Sequence, residues 1–293
     1  MFRLVTRRYP PSLVVTIRRR RFVLPIVPAA LAFVPLGAQT TAQAQSEPPV
    51  DARTWLGHAA EIESYLKTVQ MLKFEDLSVG VTKPKRAFLP EGGPMKYLAW
   101  KMIPPARYDG YWESYRSEIA AYELDKILEL NMVPPAVDKV YRGEHGAAIM
   151  WVSPTKSFKE LGGTGSPTPP ARLQAAWNRQ LVRAKMFHNL IANLDPNLGN
   201  WLVDPAWNLI LIDCSRCFTS DQKMTHVLTR VDPTLWDRMK ALTEDALLKT
   251  IGPLMASRGE LRAIIRRRDA MQKIIDALVK ERGEAYVFMK DGF

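Results

Sequence analysis

Three residues in one short stretch have types and a spacing that suit a hard cation. Asp195 and Asn200 lie five positions apart, and Asp213 closes the apolar run Leu209-Ile210-Leu211-Ile212. Two apolar runs, 201–203 and 209–212, flank Asp204-Pro205-Ala206-Trp207-Asn208, a turn-forming cluster. That pattern predicts a short hairpin with polar residues at its open ends. It brings Asn200 and Asp213 together and leaves Asp195 on the loop just before them. Two carboxylates and one amide converging on one spot offer the oxygen ligands that Mg²⁺ prefers. Taken alone, Asp195-Pro196-Asn197-Leu198-Gly199-Asn200 also reads as an ordinary turn, since Asp, Asn, Pro and Gly are the common turn residues. The second Asp, at the end of a strongly apolar strand, makes the stretch a candidate site.

The elements that must position these residues follow from periodicity. Ile62, Leu66, Val69 and Leu72 fall near helical spacing and predict a helix over 54–72. Short β-type runs follow at 77–82 and 86–89, then the turn Glu91-Gly92-Gly93-Pro94, then a third run at 97–103 that carries Lys101 and ends at Pro104-Pro105. A helix over 114–130 has Ala120, Leu124, Ile127 and Leu128 on its core stripe, with Glu118 off that stripe. Asn131 and Pro134-Pro135 terminate it. Strands at 136–141 and 147–152 surround Arg142-Gly143-Glu144-His145-Gly146. The order is three strands, one helix, two strands.

The composition changes after Val152. Residues 162–170 are rich in Gly, Ser, Thr and Pro, and a lobe boundary is placed near Ser153. Leu173, Trp177, Leu181, Ala184, Phe187 and Ile191 trace a helical stripe that leads straight into the Asp195 loop. Beyond Phe218 the pattern is mostly helical. The last helix opens with the capping box Ser257-Arg258-Gly259-Glu260, and Arg266-Arg267-Arg268 reads as a solvated face. The chain thus divides into a leader and first helix (45–75), a small strand-rich lobe (76–152), a connector (153–170) and a helical lobe (171–293).

With 47% hydrophobic residues, 293 positions support a sizeable core. The formal charge of +11 is concentrated at the N-terminus, where Arg3, Arg7, Arg8 and Arg18 to Arg21 face no acidic residue before position 45. The remainder holds 34 basic and 30 acidic residues, a balance of +4 that argues against a nucleic-acid-binding body. Charged region, apolar stretch 22–37 and Ala42-Gln43-Ala44 follow the order of a cleaved export signal over 1–44. The apolar stretch is shorter than a spanning helix and holds Pro25, Pro28 and Pro35, so no membrane anchor is expected. The expected location is therefore periplasmic or secreted. Cys214 and Cys217 are the only cysteines, and the four histidines lack zinc-ligand spacing. The cysteine pair reads as inert thiols or, in an oxidising compartment, a local disulfide.

At this point the chain resembles the atypical kinase-like group that includes HipA-type kinases, phosphatidylinositol 3-/4-kinases and Golgi secretory-pathway kinases. The resemblance rests on Ser117-Glu118-Ile119-Ala120-Ala121-Tyr122-Glu123-Leu124, Val133-Pro134-Pro135, Asn193-Leu194-Asp195, Gly199-Asn200, and Leu211-Ile212-Asp213 with Ser215-Arg216 and Phe218. It covers residues 76–290, and its specificity lies in the order of the motifs. It implies an α+β, two-lobed, protein-kinase-like fold with a five-stranded small lobe holding one helix. It also implies ATP with Mg²⁺ or Mn²⁺. Lys101 becomes the strand lysine that reaches the phosphates, Glu118 its helix partner, Asp195 the catalytic-loop acid, and Asn200 and Asp213 the metal ligands. The backbone of the strand ending in Trp151 and Val152 would face the adenine.

Three departures stand out. No G-x-G-x-x-G loop is present; Val79-Gly80-Val81-Thr82-Lys83-Pro84-Lys85 occupies that place, with Lys83 or Lys85 as substitutes for its phosphate contacts. Asp195-Pro196-Asn197 stands where related chains carry Asp-Arg-His or Asp-Arg-Asn, and Cys214 where many carry His. Three readings remain open from sequence. The first is an exported, monomeric, ATP- and metal-dependent phosphotransferase acting on a protein or glycan hydroxyl. The second is a pseudokinase that binds without turnover, and the third a non-kinase interaction protein.

Overall fold

The computed structural model describes residues 49–77, 84–195 and 197–290. The export segment, most of the 77–82 run, Lys83 and Pro196 lie outside them. The chain enters through α1 (Ala59–Thr68), which buries Ile62 and Leu66 and is shorter than the 54–72 span that its apolar spacing suggests. Strands β1 (Lys73–Asp76), β2 (Lys85–Phe88) and β3 (Tyr97–Lys101) follow. Next come a small hairpin of β4 (Ala106–Tyr108) and β5 (Tyr111–Glu113), and helix α2 (Tyr115–Leu128). Then β6 (Ala136–Tyr141) and β7 (Glu144–Met150) complete an antiparallel sheet of order β1-β2-β3-β7-β6. The small lobe is five-stranded with one helix as expected, but its first strand is Lys73–Asp76, ahead of the 77–82 run, which lies mostly outside the described residues.

Alternation of side chains gives the sheet two different faces. Leu98, Trp100, Ala148 and Met150 pack with Ile62 and Leu66 of α1. Ala147 and Ile149 point the other way, into a cluster with Leu124 and Leu128 of α2 that continues through the helical lobe. Strand β7 begins three residues earlier than its apolar run, because Arg142 and Gly143 form a two-residue turn with φ of 52° and 85°. Helix α2 starts where Ser114 accepts the Arg116 N–H at 3.1 Å and ends at Glu129, in the left-handed region. Just beyond, the buried Asp125 carboxylate accepts from the N–H groups of Asn131, Met132 and Val133 at 2.9–3.0 Å, which fixes the return to β6.

The larger lobe is built on α3 (Gln174–Ile191), α4 (Pro233–Lys240), α5 (Glu244–Thr250), α6 (Arg258–Arg282) and α7 (Glu284–Val287). A three-stranded sheet of β8 (Lys156–Ser157), β9 (Trp201–Val203) and β10 (Leu209–Leu211) lies against them. Arg267, read from sequence as one of three solvated arginines, is fully buried. It donates to the carbonyls of Leu190, Thr219 and Asp221 at 2.7–2.8 Å, because α6 needs a long donor to reach the end of α3. At the start of α6, Ser257 makes no side-chain cap, and Glu260 instead accepts the Ala256 N–H at 2.8 Å. Among the described residues no helix is long and apolar enough to cross a membrane.

Candidate active site

The predicted hairpin is present and sets the site. Strands β9 and β10 pair with Trp201 opposite Leu211, and the Ile212 N–H donates to the Asn200 carbonyl at 3.1 Å. One residue further on, Asp213 adopts φ of 63°, a left-handed conformation that a short polar side chain tolerates and that recurs at functional sites. The segment after it is tied to α3, since the Phe218 N–H donates to the Ile191 carbonyl at 2.6 Å. Asn200 is buried, and its Nδ2 has no hydrogen-bond partner.

From the small lobe, β3 and α2 deliver Lys101 and Glu118. The Lys101 ammonium lies 2.6 Å from Glu118 Oε1 and 2.6 Å from Asp213 Oδ1. Glu118 Oε2 accepts the Cys214 N–H at 3.0 Å, and the Ser215 hydroxyl donates to Asp213 Oδ1 at 3.2 Å. Both Glu118 oxygens act as acceptors, so the geometry holds the carboxylate form. Burial would lower the pKa of Lys101, but the Asp213 and Glu118 carboxylates outweigh it and raise it above the ordinary lysine value. Burial likewise opposes ionisation of Asp213, and the Lys101 ammonium overcomes it, keeping that carboxyl below its usual range.

The strand that carries Lys101 is held by a glycine. A Cβ on Gly146 of β7 would fall 2.7 Å from the Lys101 carbonyl oxygen and 2.7 Å from the Trp100 ring. Asp195 lies on the loop after α3, where its N–H donates to Asn193 Oδ1 at 3.0 Å and its Oδ1 accepts the Asn197 N–H at 3.2 Å.

Of the cofactor-side expectations, Lys101, Glu118 and Asp213 are brought together, with Asn200 beside Asp213 through backbone pairing. Lys85 is not. It stands opposite Trp100 in the β2–β3 register, on the α1 side of the sheet, and its ammonium lies 3.6 Å from Asp76. One step of strand alternation turns Arg86, rather than Lys85, to the Lys101 face. The Arg86 guanidinium lies 4.3 Å from the Trp151 ring centroid and 5.4 Å from that of Tyr97, and its Nε is buried without a partner. Trp151 is therefore on the cleft face. Val152 packs with the α1-side cluster, and its carbonyl accepts the Thr155 hydroxyl at 3.3 Å.

Sequence reasoning also missed the β4–β5 hairpin, whose strands are too short to show alternation. It is fastened to the Asp213 segment. Arg216 donates twice to Glu113 Oε1 at 2.6 and 2.8 Å and lies 4.5 Å from the Tyr111 ring centroid, and the Ser114 N–H donates to the Ser215 carbonyl at 2.9 Å. Under this hairpin is a cavity of about 360 Å³ lined by Arg107, Tyr111, Trp112, Leu194, Asp221 and Glu260. Leu194, the residue before Asp195 in the chain, is part of its lining. Among the described residues no three His, Cys, Asp or Glu side chains form a self-sufficient metal centre. Beside the Asp213 carboxylate, the Asn200 side chain offers its Oδ1, the ligand type a hard cation takes, with the remaining ligands left to a bound phosphate.

A five-stranded lobe with a lysine–glutamate pair, joined to a helical lobe that opens with an acid loop and a β-hairpin, is a kinase-like fold. Solved structures share it. The chain is similar to the Golgi casein kinase crystallised with Mn and ADP bound, at 14% identity and a TM-score of 0.58, covering 79% of this chain and 78% of that chain. It is similar also to hydra Fam20 solved with sugar, at 16% identity and a TM-score of 0.60, covering 80% and 93%. No protein-family model and no curated protein matches the sequence.

Proposed function

We propose that this chain is a metal-dependent phosphotransferase that moves the γ-phosphoryl group of ATP to a protein or glycan hydroxyl, in an exported setting. The observation that carries the reading is the single ammonium of Lys101 held between Glu118 and Asp213 at 2.6 Å each. Glu118 fixes the direction of Lys101, which reaches the nucleotide phosphates. Asn200 and Asp213 would hold Mg²⁺ or Mn²⁺, which supplies neutralisation of phosphate charge. The cavity beside Leu194 admits the acceptor hydroxyl. Asp195 Oδ1 is engaged by Asn197, and Oδ2 takes the hydroxyl proton as the acceptor oxygen bonds to the γ-phosphorus and the β–γ bridge breaks.

Melting of the purified protein with nucleotide tests this. Ligand at a hundredfold excess over its dissociation constant stabilises by about 2.7 kcal/mol, so ATP with Mg²⁺ or Mn²⁺ should raise the midpoint by about 5–10 °C. ATP without metal does much less, and Asp213→Ala removes the metal-dependent part. Asp195→Ala keeps the shift and abolishes phosphate transfer. A metal-dependent shift with no transfer in the parent protein favours the pseudokinase, for which the Asp195-Pro196-Asn197 departure already speaks. No shift at millimolar nucleotide with either cation defeats both.

A further inference from the structure

Behind the Asp195 loop, two imidazoles extend a hydrogen-bond chain that the transfer step does not itself use. His188, on α3, is 1% exposed, and its Nδ1 lies 3.3 Å from His226 Nε2. The ring centroids are 5.4 Å apart and the planes 28° from parallel, so the rings meet edge to edge through those nitrogens. On its other side, His188 Nε2 lies 3.3 Å from Asn193 Nδ2, and Asn193 Oδ1 accepts the Asp195 N–H at 3.0 Å. Asn189 anchors the far end. Its Oδ1 accepts the His226 N–H at 2.7 Å, and its Nδ2 donates to the His226 carbonyl at 2.9 Å.

Donor and acceptor roles follow by elimination. The Asn193 oxygen is used by Asp195, so its nitrogen faces His188 and donates. His188 therefore accepts at Nε2 and carries its hydrogen on Nδ1, which donates to His226 Nε2. His226 in turn carries its hydrogen on Nδ1. A proton added to either ring sets two donors against each other, at the His188–His226 contact or at the His188–Asn193 contact. Turning the Asn193 amide relieves the clash only by taking the acceptor away from Asp195.

We propose that His188 and His226 are positioning residues, an uncharged imidazole pair that sets Asn193 and, through it, the Asp195 loop, and lets that loop go when a proton enters. Its effect on turnover rests on the phosphotransfer reading; the chain of hydrogen bonds does not. The surroundings keep the pair neutral. Burial and then His226 lower the pKa of His188 to about 3, and burial and then Lys185 lower that of His226 to about 4. Lys185, on α3, is the charged group bearing on the pair; β9 contributes Trp201 and the 225–226 segment Thr225, both uncharged.

Histidine ¹⁵N spectra and amide hydrogen exchange on the full chain test the proposal. Both rings should be in the Nδ1–H form, titrating well below the ordinary histidine range. His188→Leu should speed exchange of the Asp195 and Asn197 amides by about tenfold or more. It should also lower the transfer rate by about 10–100-fold, with the ATP–Mg²⁺ melting shift unchanged. His188→Gln, whose amide accepts from Asn193 and donates to His226, should restore both. If His188→Leu does not fold, His226→Leu takes its place, and the wild-type tautomers decide if neither folds. Unchanged loop exchange in a folded variant, or a His188 ring protonated on Nε2, overturns the proposal. A wild-type protein with no transfer activity removes the catalytic reading alone, because tautomer and exchange still decide the chain.

Discussion

Lys101 Nζ lies 2.6 Å from Asp213 Oδ1, although the two residues are 112 positions apart in the chain. With Glu118 at the same distance, one cation faces two carboxylates, and the local balance is negative. On the phosphotransfer reading proposed above, a divalent cation would correct that balance.

Removing the cation should be costly. Lys101→Met leaves the buried Glu118 and the part-buried Asp213 facing one another, and unfolding in urea should show a loss of about 3 kcal/mol. Adding Glu118→Leu should recover part of it. An unaltered unfolding midpoint in Lys101→Met would mean that the triad is not closed in solution.

Acid should weaken the protein through its two buried imidazoles. The folded-state pKa values of His188 and His226 are lowered from 6.5 to about 3 and about 4. Between those values and 6.5 the unfolded chain binds more protons than the native one. Their stabilisation is therefore full above about pH 6.5 and is lost as pH falls towards 4 and 3. Allowing for the partial exposure of His226, the loss at pH 4.5 is on the order of 3 kcal/mol. Denaturant titrations at pH 7.5 and 4.5 measure it, and His188→Gln should remove most of the His188 share. An acid loss no smaller in His188→Gln than in the parent protein would contradict it.

The cysteine pair should be silent in the native state. Cys214 and Cys217 are buried free thiols in a turn closed by the Cys217 N–H on the Cys214 carbonyl at 3.0 Å, and burial pushes the Cys217 thiol well up. Iodoacetamide at pH 8 in reducing buffer should add nothing to the folded protein and two groups after unfolding. Rapid native alkylation would show that the turn opens.

Arg267 should behave as a core residue. Arg267→Met strands three carbonyl acceptors at the Leu190 end of α3 and around Thr219 and Asp221, and should cost at least about 2 kcal/mol. It should also hasten proteolysis within 219–224. Arg267→Lys should not restore either, since a compact ammonium cannot span carbonyls from two segments.

What was legible in the sequence followed from periodicity and turn chemistry. Strand β6, helix α2 and the β9–β10 hairpin showed themselves because their apolar spacing and their Pro, Asn and Asp punctuation agree. The Asp213 side of the site was legible for the same reason. Lys85 and Arg86 were not, because adjacent residues on a strand face opposite ways and only pairing with Trp100 or Ala99 shows which faces the cleft. Arg267 was hidden inside a run of three arginines, where composition speaks for solvent. His188 and His226, 38 positions apart, meet only through the packing of α3 against the segment after Asp213. No local pattern encodes such a contact.

Gly146 sets a limit on how this chain can diverge. Any side chain there meets the Lys101 backbone oxygen and the Trp100 ring at 2.7 Å, and the backbone oxygen cannot step aside without carrying β3 with it. Saturation mutagenesis at this position should return glycine alone among folded variants. Descendants of this sequence are then free to redraw the cavity, the hairpin and the acid loop, while the distance between β3 and β7 beside Lys101 stays as it is.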